Sequence, residues 1–202
     1  MRMTFGLLAV TLLALGAAAT AADEKAGTDG EGFIQQWLVL APIPLKDGED
    51  GMAGLNREAI PDEAKLKPKA GDKVKAGDKE LAWKAYAAKE HLLDFNGHLG
   101  AQTEDAIGYA VTYVTVPADM AVKMKTGSDD QCKVWLNGKE VFKYTDARPT
   151  DKDQDTTEVS LKKGVNVLVV KVVNEKVDWS FCVRFTDKDD KPVAGLSAKA
   201  GE

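Results

Sequence analysis

The chain has 202 residues, with 27 Lys+Arg against 32 Asp+Glu and a net charge of -5. That length suits one domain with at most an extension, and the acidic balance excludes a nucleic-acid protein, because nothing neutralises a run of phosphates. A hydrophobic share of 44% with 29% charged excludes wholesale disorder, and two Cys and two His are too few for a zinc cage or a disulfide framework.

The first residues read as a secretory signal. Arg2 supplies the positive start, residues 6–15 the apolar run, and Ala19-Thr20-Ala21 a small-residue cleavage pattern before Ala22. The run is shorter than the roughly 20 apolar residues of a spanning helix, so the expectation is a signal peptide over 1–21, no membrane span in the mature form, and a secreted or periplasmic protein. Residues 22–32 hold no large apolar group and are expected to be a flexible leader.

Residues 33–106 show little period-2 alternation and predict a loop-rich arm. The apolar stretch 33–40 is expected to be one short strand, halted by Pro42 and Pro44, which cannot donate to a ladder. Residues 46–80 read as solvated loops with at most a helical turn over 61–66, 81–86 as a short strand, and 94–100 as turn chemistry.

From residue 107 to 186 the texture is that of core strands. Residues 108–117 are almost entirely β-branched or aromatic, and in 120–126 Met120, Val122 and Met124 alternate with Lys123 and Lys125. Cys132, Val134 and Leu136 alternate with Lys133 and Trp135, and Asn137-Gly138 then predicts a two-residue hairpin turn with φ > 0 at both positions. Residues 156–161 alternate, and the nearly unbroken apolar run 165–173 predicts a central strand covered on both faces. Trp179, Phe181, Val183 and Phe185 share a face of the last strand, and 187–202 reads as a flexible tail. Six or so such strands, with no helix long enough for a crossover, predict an all-β antiparallel sandwich.

Several of these residues carry a family resemblance. The run Gly127-Ser128-Asp129-Asp130-Gln131-Cys132-Lys133-Val134-Trp135-Leu136-Asn137-Gly138-Lys139 resembles the S-D-D-G-x-x-V-W-L-N-G-K signature of galactose-binding-like jelly-roll domains. It is similar to the sugar-binding domain of family 2 glycoside hydrolases. Leu161-Lys162-Lys163-Gly164-Val165-Asn166-Val167-Leu168 resembles the same group's L-K-x-G-x-N-x-L strand pair, and Trp179-Ser180-Phe181 its closing W-x-F strand. Trp37-Leu38-Val39-Leu40-Ala41-Pro42-Ile43-Pro44 resembles a W-L-V-x-G-P-F-P opening, with Ala41 for Gly and Ile43 for Phe. The resemblance spans 33–186. It implies a sandwich that often binds carbohydrate through loops at one end and sometimes serves only as a spacer or interface.

Catalysis finds no constellation: there is no Gly-x-Ser-x-Gly elbow, and His91 and His98 lie in a turn-rich stretch. The chain is therefore expected to be a non-catalytic carbohydrate-binding module, with a structural or protein-interaction module of the cell envelope as the alternative. Trp83 and Trp135 are the candidate sugar platforms, with Trp83 the ring expected to be exposed. Trp135 is either exposed or covered by the arm, in part by Trp37. Arg148 is the candidate donor to ligand oxygens, in the middle of three candidate loops, 96–105, 144–155 and 174–178. Asp151, Asp153 and Asp155 alternate like the opening of a calcium loop, but Thr156 and Lys162 stand where an EF-hand needs Gly and Glu; a looser structural calcium site and a solvated acidic loop both remain open, and no other cofactor is expected. Asp129 and Asp130 read as caps of backbone N–H groups. Cys132 and Cys182 are either a disulfide or two small buried hydrophobes.

Overall fold

Two apolar runs organise the molecule. In the computed structural model, which describes residues 27–201, β6 (Ala106–Val116) and β11 (Gly164–Asn174) pair antiparallel along their whole length. They are the centre of a seven-stranded sheet in the order β4 (Lys84–Ala87), β1 (Gln36–Pro44), β6, β11, β8 (Cys132–Leu136), β9 (Lys139–Tyr144). A short β13 (Ser197–Lys199) also pairs with β6. The second sheet has four strands: β10 (Asp155–Leu161), β7 (Met120–Asp129), β12 (Ser180–Thr186) and β5 (Leu93–Asp94). The two sheets face each other, so the all-β antiparallel sandwich is the observed fold. Val122, Met124, Val134, Val170, Trp179, Phe181 and Phe185 fill the space between them. The alternation in β7, β8 and β12 is what directs these side chains inward.

Both faces of β6 and β11 are apolar, and the second face needs its own cover. Leu38, Leu40, Tyr109, Val111, Trp135 and Val169 form a second core on the outside of the large sheet. Residues 45–83 supply the lid, through α1 (Gly51–Asn56), a 3-10 turn (Glu63–Lys65) and the hairpin β2 (Lys73–Ala76) and β3 (Lys79–Ala82). A further short helix, α2 (Phe95–Leu99), is capped by Asp94 at its start and by Gly100, at φ 69°, at its end.

The division into a loop-rich arm (33–106) and core strands (107–186) therefore needs correction. β1 is an interior strand of the large sheet, and its ladder with β6 resumes beyond Pro42 as Ile43↔Ile107 and Pro44↔Ala106. The register slips between Leu40 and Ile43, across the cis Ala41–Pro42 bond, so the prolines sit at and beyond a bulge instead of ending the strand. On the other side, β4 pairs only Gln36 to Val39, short of the prolines.

The ends also differ from expectation. The signal-peptide region and residues 22–26 lie outside the described residues, but 27–32 is a folded turn. The Asp29 carboxylate accepts the Glu31 and Phe33 N–H groups at 2.9 and 2.8 Å, and Gln35 N–H donates to Gly27 O at 3.0 Å. The segment 187–201 returns along the sandwich: Val193 and Leu196 pack against the main core, and β13 pairs with residues 113–115 of β6. β1 reaches only to Val111, so β13 occupies an edge that would otherwise be open.

Candidate functional site

Only Asp130-Gln131 separates β7 from β8, so the chain changes sheets there in one step. The Asp129–Asp130 peptide is cis. The crossing is pinned by Asp130 N–H to Val173 O at 3.1 Å and Val173 N–H to Gln131 O at 2.9 Å.

The three candidate loops meet at this crossing. The Asp130 carboxylate accepts the Arg148 N–H at 3.2 Å on one oxygen and the Glu175 N–H at 3.0 Å on the other. It thus joins loops 144–155 and 174–178. Asn96 joins the third, donating to Val177 O and accepting from Thr103 N–H, both at 2.9 Å. Asp130 is a cap as expected, but for two other loops and not for its own turn.

Asp129 has a different fate. Among the described residues no cation pairs with it, and it is only 7% exposed. The Thr150 backbone N–H and the Asp178 carboxylate act on it in opposite senses, the first lowering and the second raising its pKa. Burial first, then the Asp130 and Asp178 carboxylates, push its pKa up to about 7. Burial also raises the Asp130 carboxyl, opposed by its two backbone donors. The result is a recessed acceptor, poised between charged and neutral near pH 7, at the meeting of three loops.

The residues singled out for ligand contact lie elsewhere or are already occupied. Trp83 is 3% exposed and Trp135 5% exposed, both inside the second core. The outer face of the large sheet is too apolar to be left wet, so these rings cover it and offer no platform. Trp37 does not cover Trp135; it points into the main core, edge-on to Phe181 at 4.9 Å. Arg148 is at the loop end, but its guanidinium stacks 3.6 Å above the Tyr144 ring, donates to Ser128 O at 3.3 Å, and pairs with Asp155. Its donors hold the loop.

The alternating acids do not converge. Asp151 accepts its neighbour's Lys152 N–H at 2.8 Å, Asp153 pairs with Arg184 and with Lys125, and Asp155 pairs with Arg148. Among the described residues no group of three or more His, Cys, Asp or Glu could hold a metal ion, so the calcium reading of this triplet has no structural footing. The cysteines are separate free thiols. Cys132 lies in the core between the sheets, whereas Cys182 alternates with Phe181 and Val183 and turns to the other face of β12, 3.6 Å from Asp151 O. His91 and His98 pack edge-on to Phe33 and Tyr86.

One buried polar cluster has no counterpart in the sequence reading. Lys171, fully buried in the apolar run of β11, donates to Leu55 O and Glu63 Oε2, both at 3.1 Å, and to Arg57 O. Tyr109 donates its hydroxyl to the same Glu63 oxygen. Burial pulls the Lys171 ammonium down to about 8, against the attraction of Glu63; burial and Glu63 push the Tyr109 phenol well above its ordinary value. The ammonium satisfies carbonyls at the end of α1 that no helical N–H can reach, which bolts the lid to the sheet. A single charge within residues 165–173 was the available signal.

No family model and no curated protein matches this chain. Among solved structures it is similar to a β-glucosidase from Kluyveromyces marxianus, in complex with glucose, at 11% identity and a TM-score of 0.34. The match covers 71% of this chain and 18% of that enzyme, so the chain spans under a fifth of its length.

Proposed function

We propose that this chain is a non-catalytic, secreted or periplasmic module, resembling galactose-binding-like sandwiches, that binds a hydroxyl-rich carbohydrate at the three-loop end. The observation that carries the reading is Asp129: a recessed carboxylate without a cation, held between loops fixed by Asp130, Asn96 and Arg148. A carboxylate accepts hydrogen bonds from sugar hydroxyls, and a rigid rim limits the ordering cost of binding. With the tryptophans buried, hydrogen bonds dominate, and the affinity expected is about 1 mM to 1 μM, or about 4–8 kcal/mol. Met52, Val165 and Val177 are the large apolar side chains exposed among the described residues. Met52 belongs to α1, Val165 to β11 and Val177 to the loop 174–178.

Calorimetric titration with neutral, carboxylated and sulfated glycans tests the proposal. Binding of a neutral glycan that falls at least tenfold in Asp129→Asn, with a melting temperature no lower than the wild type's, supports it. Silence across the panel transfers the reading to a structural module of the envelope.

A further inference from the structure

The lid carries a concentration of positive charge that the acidic composition hides. Residues 65–80 hold six lysines against Asp72, Asp78 and Glu80, which makes this segment +3 and the rest of the chain -8, given the total of -5. The packing puts the charge on one side. Leu66, Val74 and Leu81 face the second core, and Tyr113 donates its hydroxyl to Pro68 O at 2.8 Å. The residues alternating with them, Lys65, Lys67, Lys69, Lys73 and Lys75, are all exposed. Extended backbone sets Lys67 and Lys69 about 6.6 Å apart, and likewise Lys73 and Lys75 in β2; a turn in which Asp72 N–H donates to Lys69 O at 3.1 Å joins the two pairs. Among the described residues, Lys73 is the only one of the five with a carboxylate in reach, Glu80 at 2.8 Å, and the Asp72 carboxylate is taken by the Lys69 N–H.

The strip begins at a notch. It is lined by the apolar Ala64, Leu66, Val165 and Val167, by Lys65 and Lys67, and by the Asn137-Gly138 turn. Its volume is about 190 Å³, and Val165 is 52% exposed. At about 30 Å³ per water that is room for roughly six waters, enough for one ring-sized group. This site lies at the far end of β8 from Asp129.

We infer that the notch and lysine strip dock an acidic polysaccharide, with one ring in the notch and successive anionic groups along the strip. A polymer with repeating anionic groups can meet these lysines in succession, whereas the -8 balance of the other residues adds no attraction for a broad anionic surface. Among the described residues Val165 is the one large apolar side chain exposed at this notch, and no large aromatic side chain is exposed to stack on bases.

The test uses the full chain, polygalacturonate as probe, and dextran of equal length as the neutral control. The expectation is binding to polygalacturonate that weakens at least tenfold between 50 and 300 mM NaCl. It should weaken at least tenfold again in the triple variant Lys67→Glu, Lys69→Glu, Lys75→Glu, with an unchanged melting temperature and circular dichroism spectrum. Asp129→Asn should leave it unaffected, so this site and the three-loop site fail or stand separately. Equal binding by the triple variant, equal binding to dextran, no binding, or binding only to phosphatidylglycerol vesicles or to single-stranded RNA would each overturn the inference.

Discussion

A charge removed from water must find a partner or shift its pKa, and this chain shows both outcomes. Lys171 finds three acceptors, and its contribution can be read in two ways. Lys171→Met leaves two buried carbonyls without their donor and the buried Glu63 carboxylate without its cation, with only the Tyr109 hydroxyl still donating to it, and should cost about 3–5 kcal/mol in urea unfolding. Its pKa is lowered from 10.5 to about 8 in the folded state, so between those values the unfolded chain binds more protons, and this residue's share of stability rises with pH over that window. Asp129 shifts in the opposite sense. Its pKa is raised from 3.8 to about 7, so the folded state holds the proton longer and the associated stability is lost as pH rises through 7. The melting-temperature advantage of Asp129→Asn over the wild type should therefore grow from pH 4 to about 7 and then level off in a scanning-fluorimetry series. The thiols are the third case: Cys132 and Cys182, each pushed up to about 12 mainly by burial, face different sides of β12 and should both titrate as free in the denatured, unreduced protein.

At the level of elements, local chemistry decides turns and caps while burial decides strands. The Asn137-Gly138 turn takes φ of 52° and 82°, the pair of positive values that a two-residue hairpin between β8 and β9 requires. Gly138→Val should destabilise by about 1–3 kcal/mol, seen as a lowered urea midpoint with unchanged slope, because a β-branched residue is strained at that φ. A Cβ there meets only Lys65 Cγ at 3.5 Å and Ala64 O at 3.7 Å, so the cost comes from the backbone and not from a clash. β1 shows the limit of local reasoning. Two prolines in nine residues argue for a chain that leaves the sheet, yet the strand keeps its place because Leu38 and Leu40 serve one core while Trp37 and Val39 serve the other. The bulge takes up Pro42, and burial on both faces outweighs one lost ladder bond.

The whole molecule is a three-layer arrangement: a four-stranded sheet, a seven-stranded sheet, and a lid of short elements over the outer face. The layering explains why function was hard to read from residue types. Exposed large aromatics would offer a handle on a ligand, but a large sheet with two apolar faces has more surface to cover than the facing strands provide, and Trp83 and Trp135 meet that need. The two proposed sites instead lie at the ends of β8, a recessed carboxylate at one and exposed lysines beside an apolar notch at the other.

By itself the sequence determined what depends on neighbours along the chain. The period-2 pattern of β7, β8 and β12 marked their inward faces, Asn137-Gly138 marked its turn, and the run 165–173 marked a strand buried on both sides, because side-chain alternation and backbone φ are local properties. Tertiary structure alone decided what depends on residues far apart. The lid's place over the large sheet, the pairing of Lys171 with Glu63, the diversion of Asp153 to Arg184, and the surroundings of Asp129 all depend on groups separated in sequence. A charge on its own does not reveal whether it will meet water, a counter-ion or a ligand; that follows from which strands become neighbours, and strand neighbours are set by how two apolar faces find cover.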